Sequence, residues 1–175
     1  MTPLEREHHR LLTRWRGAMD LVGPGPLEPH FDDARQAVSW LSPTGRWADL
    51  GSGAGFPGVA LAAHHPDIEV VLVESRSKRA AFLEQVAAGT ARLSVACLRT
   101  ESLEDSSFDG VISRAYRPPP AFLADARRLL CPGGTAVCLL ARGEPPELDG
   151  LEMFHVEHYA VQGRPRAAVG YRKAS

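Results

Sequence analysis

One segment, from Asp49 to Leu83, limits the folds open to this chain more than any other part of the sequence. It reads DLGSGAGFPGVALAAHHPDIEVVLVESRSKRAAFL: an apolar entry, a glycine loop, an apolar helical stretch and a β-branched run that ends on Glu74. The run from Val70 to Val73 is apolar without alternation, which is typical of a parallel strand covered on both faces. The segment therefore predicts a strand, a turn, a helix and a second, parallel strand.

The turn in this segment has the composition of a ligand-binding loop. Gly51, Gly53 and Gly55 allow positive φ and let a ligand approach without Cβ atoms in the way. Pro57 suits the first turn of the helix that follows. Glu74 falls at the carboxyl end of the second strand, where an acid can accept both hydroxyls of a ribose. A ligand-free turn has similar glycines, but the acid favours a cofactor that contains adenosine; the loop alone leaves NAD and S-adenosylmethionine open.

The composition is that of one globular domain. With 175 residues, 44% of them hydrophobic, the chain can bury a single core. We expect one domain over residues 1–175, with a helical extension over 1–44 and a cofactor-binding sheet core over 45–175. The three cysteines are not spaced as CxxC, which argues against a disulfide framework and a zinc ribbon. Without a membrane-spanning stretch or a signal peptide, we expect a cytoplasmic protein with no membrane partner. We also expect a monomer.

The charge bears on nucleic-acid binding. A formal net charge of -1 excludes the strongly basic balance of a protein held on nucleic acid by overall charge. RNA contacts must then come from local basic clusters, which can equally be solvated surface. The candidates are Arg10, Arg14 and Arg16; Arg76, Lys78 and Arg79; and Arg164, Arg166, Arg172 and Lys173. His155 and His158 have no third ligand nearby in the sequence, so we expect no metal site.

The order of the predicted elements decides between the two cofactors. Apolar spacing predicts helices from Thr2 to before Gly23, Glu28 to Leu41, Val59 to Ala63, Ser77 to Ala88 and Pro120 to Leu130, and later strands over Leu93 to Leu98, Phe108 to Ile112 and Thr135 to Ala141. The last two strands, Met153 to Val161 and Ala167 to Arg172, form an antiparallel hairpin around Gly163. A dinucleotide fold continues instead with a second βαβαβ half. The pattern favours an α/β Rossmann-like sheet of the class I S-adenosylmethionine-dependent methyltransferases, preceded by a helical pair.

Five motifs along the chain carry further information, and the run GFPG together with SRA is much more specific than a glycine loop. The five motifs are MDLVGPGPLEPHFDD with His30 and Asp33, DLGSGAGFPG, VESRSKRAAFL, LRTESLE and FDGVISRA. Through these motifs, and over nearly its whole length, the chain resembles the bacterial 16S ribosomal RNA guanine-N7 methyltransferase family, also called glucose-inhibited division protein B. The resemblance implies S-adenosylmethionine as cofactor and 16S ribosomal RNA or the small ribosomal subunit as partner, with no role for DNA.

The resemblance also implies a set of site residues. Gly51 and Phe56 flank the methionine part of the cofactor, Glu74 takes the ribose, Thr100 and Glu101 lie beside the adenine, and Arg114 closes the site. Gly53 and Gly55 of the loop are also expected to bind the cofactor. Guanine N7 has an in-plane lone pair and no proton, so the reaction needs no general base. We therefore expect no catalytic acid or base, with Ser113 and Arg114 lining the site.

Two other functions stay open. The run from Tyr116 to Pro120 is richer in proline than the family pattern, so the edge of the substrate pocket can differ. A class I methyltransferase acting on a small molecule would show no affinity for ribosomal RNA. A non-catalytic ribosome-assembly module is favoured if the proline-rich run closes the pocket.

Overall fold

A computed structural model describes residues 1–175 and places them around one seven-stranded sheet. The strands are β1 (Arg46–Leu50), β2 (Glu69–Val73), β3 (Leu93–Ala96), β4 (Phe108–Arg114), β5 (Leu130–Leu140), β6 (Leu151–Val161) and β7 (Arg164–Lys173). Their order is β3-β2-β1-β4-β5-β7-β6; β1 to β5 are parallel, and β7 is antiparallel to both β5 and β6. The predicted α/β sheet with a closing antiparallel hairpin is confirmed.

Five α-helices connect and cover the strands. They are α1 (Pro3–Trp15), α2 (Glu28–Val38), α3 (Gly58–His64), α4 (Ser77–Ala87) and α5 (Pro119–Leu129), with a single 3-10 turn at Thr100–Ser102. The first two helices end earlier than their apolar spacing predicts. β5 begins earlier than predicted, at Leu130, because that residue already pairs with Phe108 and the strand then passes an irregularity before Thr135 pairs with Gly110. None of the five helices has the length and hydrophobicity that a membrane-spanning segment needs.

The start of α1 is fixed by a capping box. The Thr2 hydroxyl accepts the Glu5 N–H at 3.2 Å, and the Glu5 carboxylate accepts the Thr2 N–H at 2.7 Å. Glu5 is fully buried and also contacts His64 of α3 at 3.1 Å. Burial raises the pKa of Glu5, but the hydrogen bonds from Thr2 and His64 outweigh it and hold the pKa below its ordinary value. Glu5, a member of the capping box, therefore also attaches α1 to α3.

Apolar side chains cover the central strands on both faces. Trp47 of β1 and Leu72 of β2 belong to a cluster that includes residues of α1 to α4, whereas Leu50 and Val73 belong to a second cluster that includes residues of α5. Alternate residues of one strand thus enter different clusters, as the pleat requires. This arrangement explains why the two strands are apolar without alternation, and it directs their carboxyl ends to one edge of the sheet.

Candidate functional site

The site lies where the strand order reverses. β1 is placed between β2 and β4, so the loops that follow these three parallel strands meet at one edge. The glycine loop follows β1, Glu74 follows β2, and Ser113 and Arg114 end β4. In open α/β sheets this edge, at the point of reversal, is where ligands bind.

The glycine loop requires glycine for two different reasons. Gly51, Gly53 and Gly55 have φ of 66°, 55° and 97°, in the left-handed region that other residues rarely adopt. A Cβ on Gly51 would lie 2.5 Å from the Tyr116 ring, and one on Gly55 would lie 3.0 Å from the His8 ring. At Gly53 the nearest atom would be 3.7 Å away, so only its backbone conformation demands glycine. The loop is thus packed against neighbours at both ends and has room at its middle.

Glu74 is held in place by the loop that it faces. Its side chain is buried, with Oε2 accepting the Gly53 N–H at 3.0 Å and Oε1 accepting the Arg76 N–H at 2.8 Å. A carboxylate has about four lone-pair sites, so each oxygen can accept a further hydrogen bond. The carboxylate therefore has a fixed position and spare acceptors, as a ribose-binding acid needs.

Asp49, the last but one residue of β1, is a buried acid beside the glycine loop to which the sequence analysis gave no role. It is completely buried, and Oδ2 accepts the Gly58 N–H at 3.0 Å while Oδ1 has no hydrogen-bond partner. Burial raises the pKa of this carboxyl to about 7, although the Gly58 N–H opposes the shift. An acid two residues before the first glycine of the loop was the available signal. Protein atoms enclose this carboxylate, so it acts through the Gly58 N–H at the start of α3 and not on a ligand directly.

Thr100 and Glu101 lie in the 3-10 turn and line a cavity of about 360 Å³ together with Gly51 and Glu74. The Thr100 hydroxyl accepts a hydrogen bond from Tyr116 at 2.7 Å. Glu101 is exposed and is paired with Arg117, whose guanidinium holds the pKa of Glu101 below its ordinary value. The structure thus brings together all the residues predicted to face the adenosine. It also shows that two of them already have partners from the proline-rich segment.

A second cavity, of about 470 Å³, lies on the other side of the end of β4. Arg114 donates to Asp33 Oδ2 at 2.9 Å, and its guanidinium lies 4.8 Å from the centre of the Phe56 ring. The His30 ring stacks on the Phe56 ring, with 5.7 Å between the two ring centres. Burial, followed by the nearby Arg114 cation, lowers the pKa of His30 and favours its neutral form. Arg114 is therefore fixed between an acid and an aromatic face.

Tyr159 of β6 belongs to this second cavity and had no predicted role. Its hydroxyl donates to Asp33 Oδ1 at 2.9 Å, so both oxygens of that carboxylate are engaged, one by Tyr159 and one by Arg114. Burial raises the pKa of Tyr159, which keeps its hydroxyl a donor. Nothing in the local sequence pairs residues 33 and 159, and only the position of β6 at the end of the sheet brings them together.

The remaining predicted residues divide between the site and other surfaces. Ser113 is buried, and its hydroxyl donates to the Leu50 carbonyl at 3.0 Å, which joins β4 to β1 beneath the site. Arg166, from the basic cluster near the C-terminus, lines the second cavity. Arg172 and Lys173 instead donate to backbone carbonyls of residues 133 and 130, near the start of β5. They line or adjoin the largest cavity, of about 990 Å³, which contains none of the predicted site residues.

Comparison with known proteins identifies relatives over most of the chain. The sequence matches the family described as rRNA small subunit methyltransferase G over residues 6–162. A ribosomal RNA small subunit methyltransferase G from Halorhodospira halophila is 37% identical over 164 residues, which cover 90% of this chain and 78% of the relative. The protein of the same name from Paracoccus denitrificans is 32% identical, with 91% and 88% covered.

Solved structures with a similar fold include other methyltransferases. A methyltransferase in complex with the Trm112 methyltransferase activator of Haloferax volcanii superposes with a TM-score of 0.69 at 17% identity, over 98% of each chain. The 1,6-didemethyltoxoflavin-N1-methyltransferase of Burkholderia thailandensis, solved with S-adenosylhomocysteine, gives 0.65 at 15% identity over 96% of this chain and 87% of that one. At these identities the likeness shows the fold alone, which is the predicted class I methyltransferase fold.

Proposed function

The chain belongs to the rRNA small subunit methyltransferase G family, and we propose that it transfers a methyl group from S-adenosylmethionine to N7 of a guanine in the 16S RNA of the small ribosomal subunit. The observation that carries this proposal is the meeting of the glycine loop, Glu74 and Arg114 at the one sheet edge where the strand order reverses. We further propose that the chain acts as a single domain and as a cytoplasmic monomer.

The residues at this edge fit S-adenosylmethionine. The three glycines leave backbone accessible, and Glu74 has spare acceptors for the ribose hydroxyls. Thr100 and Glu101 supply hydroxyl and carboxylate groups at the far end of the same cavity, where an adenine edge would be recognised. We assign the methionine part to Gly51 and Phe56, and the closing of the site to Arg114.

The chemistry asks for positioning rather than for proton transfer. Bound S-adenosylmethionine supplies a methyl group on a positively charged sulfur. Guanine N7 attacks with an in-plane lone pair, so no side chain has to remove a proton first. Ser113 and Arg114 lie at the end of β4, between the two cavities. The cavity of about 360 Å³ would hold the adenosine, and the cavity of about 470 Å³ would hold the guanine base. Holding two reactants in line can contribute on the order of 7 kcal/mol to the rate.

The second cavity suits a guanine presented outside a helix. In A-form RNA, N7 faces a major groove too deep and narrow for side chains, so the base must lie in a loop or be extruded. The His30 ring lines this cavity together with Arg114, and stacking on such groups is how proteins hold unstacked bases. The Phe56 ring is buried behind them and supports both groups from the protein side. The wall of the cavity also carries Arg142 and Arg166, which can meet the flanking phosphates.

The test is methyl transfer to a defined substrate. The purified protein is incubated with labelled S-adenosylmethionine and small subunits from cells lacking the modification, and the 16S RNA is then digested to nucleosides. We expect labelled 7-methylguanosine with the wild type and with Arg92→Lys, a change on the far side of the sheet. Glu74→Gln should bind the cofactor roughly tenfold or more weakly, because an amide cannot accept all the donors that the carboxylate accepts.

The other outcomes identify the alternatives. Cofactor binding without transfer to either naked 16S RNA or small subunits would contradict the proposed substrate. If a metabolite mixture were then labelled instead, the protein would be a small-molecule methyltransferase. Binding without any transfer would indicate an assembly module. Absence of cofactor binding in a folded sample would contradict the whole proposal.

A further inference from the structure

The side chain of Tyr116 connects the two walls of the cofactor cavity. Its ring packs on Gly51, so closely that a Cβ there would lie 2.5 Å from it. Its hydroxyl donates to Thr100 Oγ1 at 2.7 Å. Tyr116 thus contacts the glycine loop on one side and the segment assigned to adenine on the other, and it lines the cavity between them.

The backbone before Tyr116 is bent to allow this contact. Ala115 has φ of 57°, in the left-handed region, which costs an alanine about 1 kcal/mol. Such a conformation persists only where the surroundings determine it. α5 begins at Pro119 immediately beyond, so the segment between β4 and α5 is short and restricted. The backbone thus restricts where the Tyr116 side chain starts, and its contact with Gly51 and its hydrogen bond to Thr100 fix the ring.

The hydrogen bond to Tyr116 determines what the Thr100 hydroxyl can do. Burial raises the pKa of Tyr116, so its hydroxyl stays protonated and donates. Thr100 is buried, its Oγ1 accepts this hydrogen bond, and its carbonyl accepts one from Arg128 at 2.8 Å. A hydroxyl has one hydrogen to donate. Since the oxygen already accepts from Tyr116, that hydrogen remains for an acceptor within the cavity, and the ring nitrogens of adenine are acceptors.

We propose that Tyr116 is a positioning residue for the cofactor, which orients the Thr100 hydroxyl as a donor to the adenine ring. Arg117 supports the same segment, because it lies over the Tyr116 ring at 4.8 Å and pairs with Glu101. This inference rests on the proposed function, since it assumes that adenosine occupies this cavity. It gives a role to the segment in which the chain departs from the family pattern.

The test is a double-mutant cycle read by calorimetric binding of S-adenosylmethionine, without RNA. Tyr116→Phe keeps the ring over Gly51 and removes only the hydroxyl. Without it the Thr100 hydroxyl is no longer held as a donor to adenine, and loss of that one hydrogen bond between neutral groups predicts a Kd on the order of three- to tenfold higher. Thr100→Val should raise the Kd at least as much. In the Thr100→Val background, Tyr116→Phe should add less than about twofold, because it acts through Thr100.

Tyr171→Phe is the matched control, because its hydroxyl also donates a hydrogen bond, to the Pro146 carbonyl at 2.8 Å, but away from this cavity. It should leave the Kd for the cofactor unchanged. In turnover, Tyr116→Phe should raise the KM for the cofactor and leave kcat and the KM for RNA unchanged. Free adenosine, measured by competition, should lose affinity by the same factor as the whole cofactor, since the effect lies at the adenine end.

Three results would overturn the inference while leaving the proposed function intact. The first is an unchanged or lower Kd for Tyr116→Phe. The second is an equal effect of Tyr116→Phe on the Kd in the wild type and in the Thr100→Val background. The third is a decrease in kcat with no change in the KM for the cofactor. The proposed function fails in a different way, namely if the folded wild type does not bind S-adenosylmethionine.

Discussion

Replacement of Asp49 by Asn should change how the stability of the protein depends on pH. Asp49 is completely buried, and its Oδ1 has no partner. Burial raises its pKa to about 7 from an ordinary value of 3.8. The folded protein therefore keeps a proton on this carboxyl over a pH range in which the unfolded chain has lost it. Asparagine has a similar shape, can still accept the Gly58 N–H, and does not ionise.

The size and sign of the effect follow from these two pKa values. Below the unfolded pKa the carboxyl is protonated in both states and its ionisation contributes nothing. Between about pH 4 and pH 7 the folded state binds more protons than the unfolded one, so stability falls as the pH rises. At about 1.4 kcal/mol per pKa unit, the full loss is on the order of 4 kcal/mol. The Asn variant lacks this loss, although its unpaired amide costs about 1–3 kcal/mol at every pH.

Urea unfolding of both proteins at several pH values between 4.5 and 8 measures the difference directly. Titratable groups that the two proteins share contribute equally to both curves. As the pH rises over this range, the free energy of unfolding of the Asn variant should therefore increase relative to that of the wild type by about 3–4 kcal/mol. Asp67→Asn, at an exposed position, should follow the wild type. Parallel pH curves for the wild type and Asp49→Asn would refute the argument, because they would mean that Asp49 ionises normally in the folded state.

Four further substitutions test the site. Gly51→Ala and Gly53→Ala should each cost about 1 kcal/mol in backbone strain, but only Gly51→Ala must also displace Tyr116, so calorimetry should show the larger loss of cofactor affinity there. Equal losses would contradict the packing. Arg114→Lys keeps the charge but not the planar fork, and kcat/KM should fall roughly tenfold or more; unchanged turnover would refute its role. His8→Phe removes a 2.6 Å hydrogen bond from α1 to the glycine loop, so it should lower both the thermal midpoint and the affinity for the cofactor. An unchanged affinity would mean that α1 does not hold the loop in its cofactor-binding conformation.

Much of the fold was predictable because its signals are local. The apolar runs of β1 and β2, the glycines between them and the turn at Gly163 each lie within a few residues of the structure that they specify. The position of Glu74 was predictable for the same reason. The end of its apolar strand is visible in the sequence, and parallel strands have their carboxyl ends at one edge of the sheet. The boundaries were harder, and β5 begins at Leu130 because pairing with β4 extends it beyond its own apolar pattern.

The predicted site was incomplete where burial or distant contacts decide the chemistry. Asp49 stands in the loop motif, but its unpaired oxygen depends on how completely α3 and the sheet enclose it. Asp33 and Tyr159 meet across the end of the sheet, and Tyr116 meets Thr100 across the cavity. Residues so far apart along the chain have no common pattern to mark them.

The sequence by itself determined the order of strands and helices, the conformation of the glycine loop and the acid that follows β2, because backbone preference and hydrophobic periodicity act over short stretches of chain. Only the tertiary structure decided which polar groups became buried and which side chains share a hydrogen bond. Both depend on the dielectric surroundings and on contacts between distant segments, which exist only once the sheet has formed.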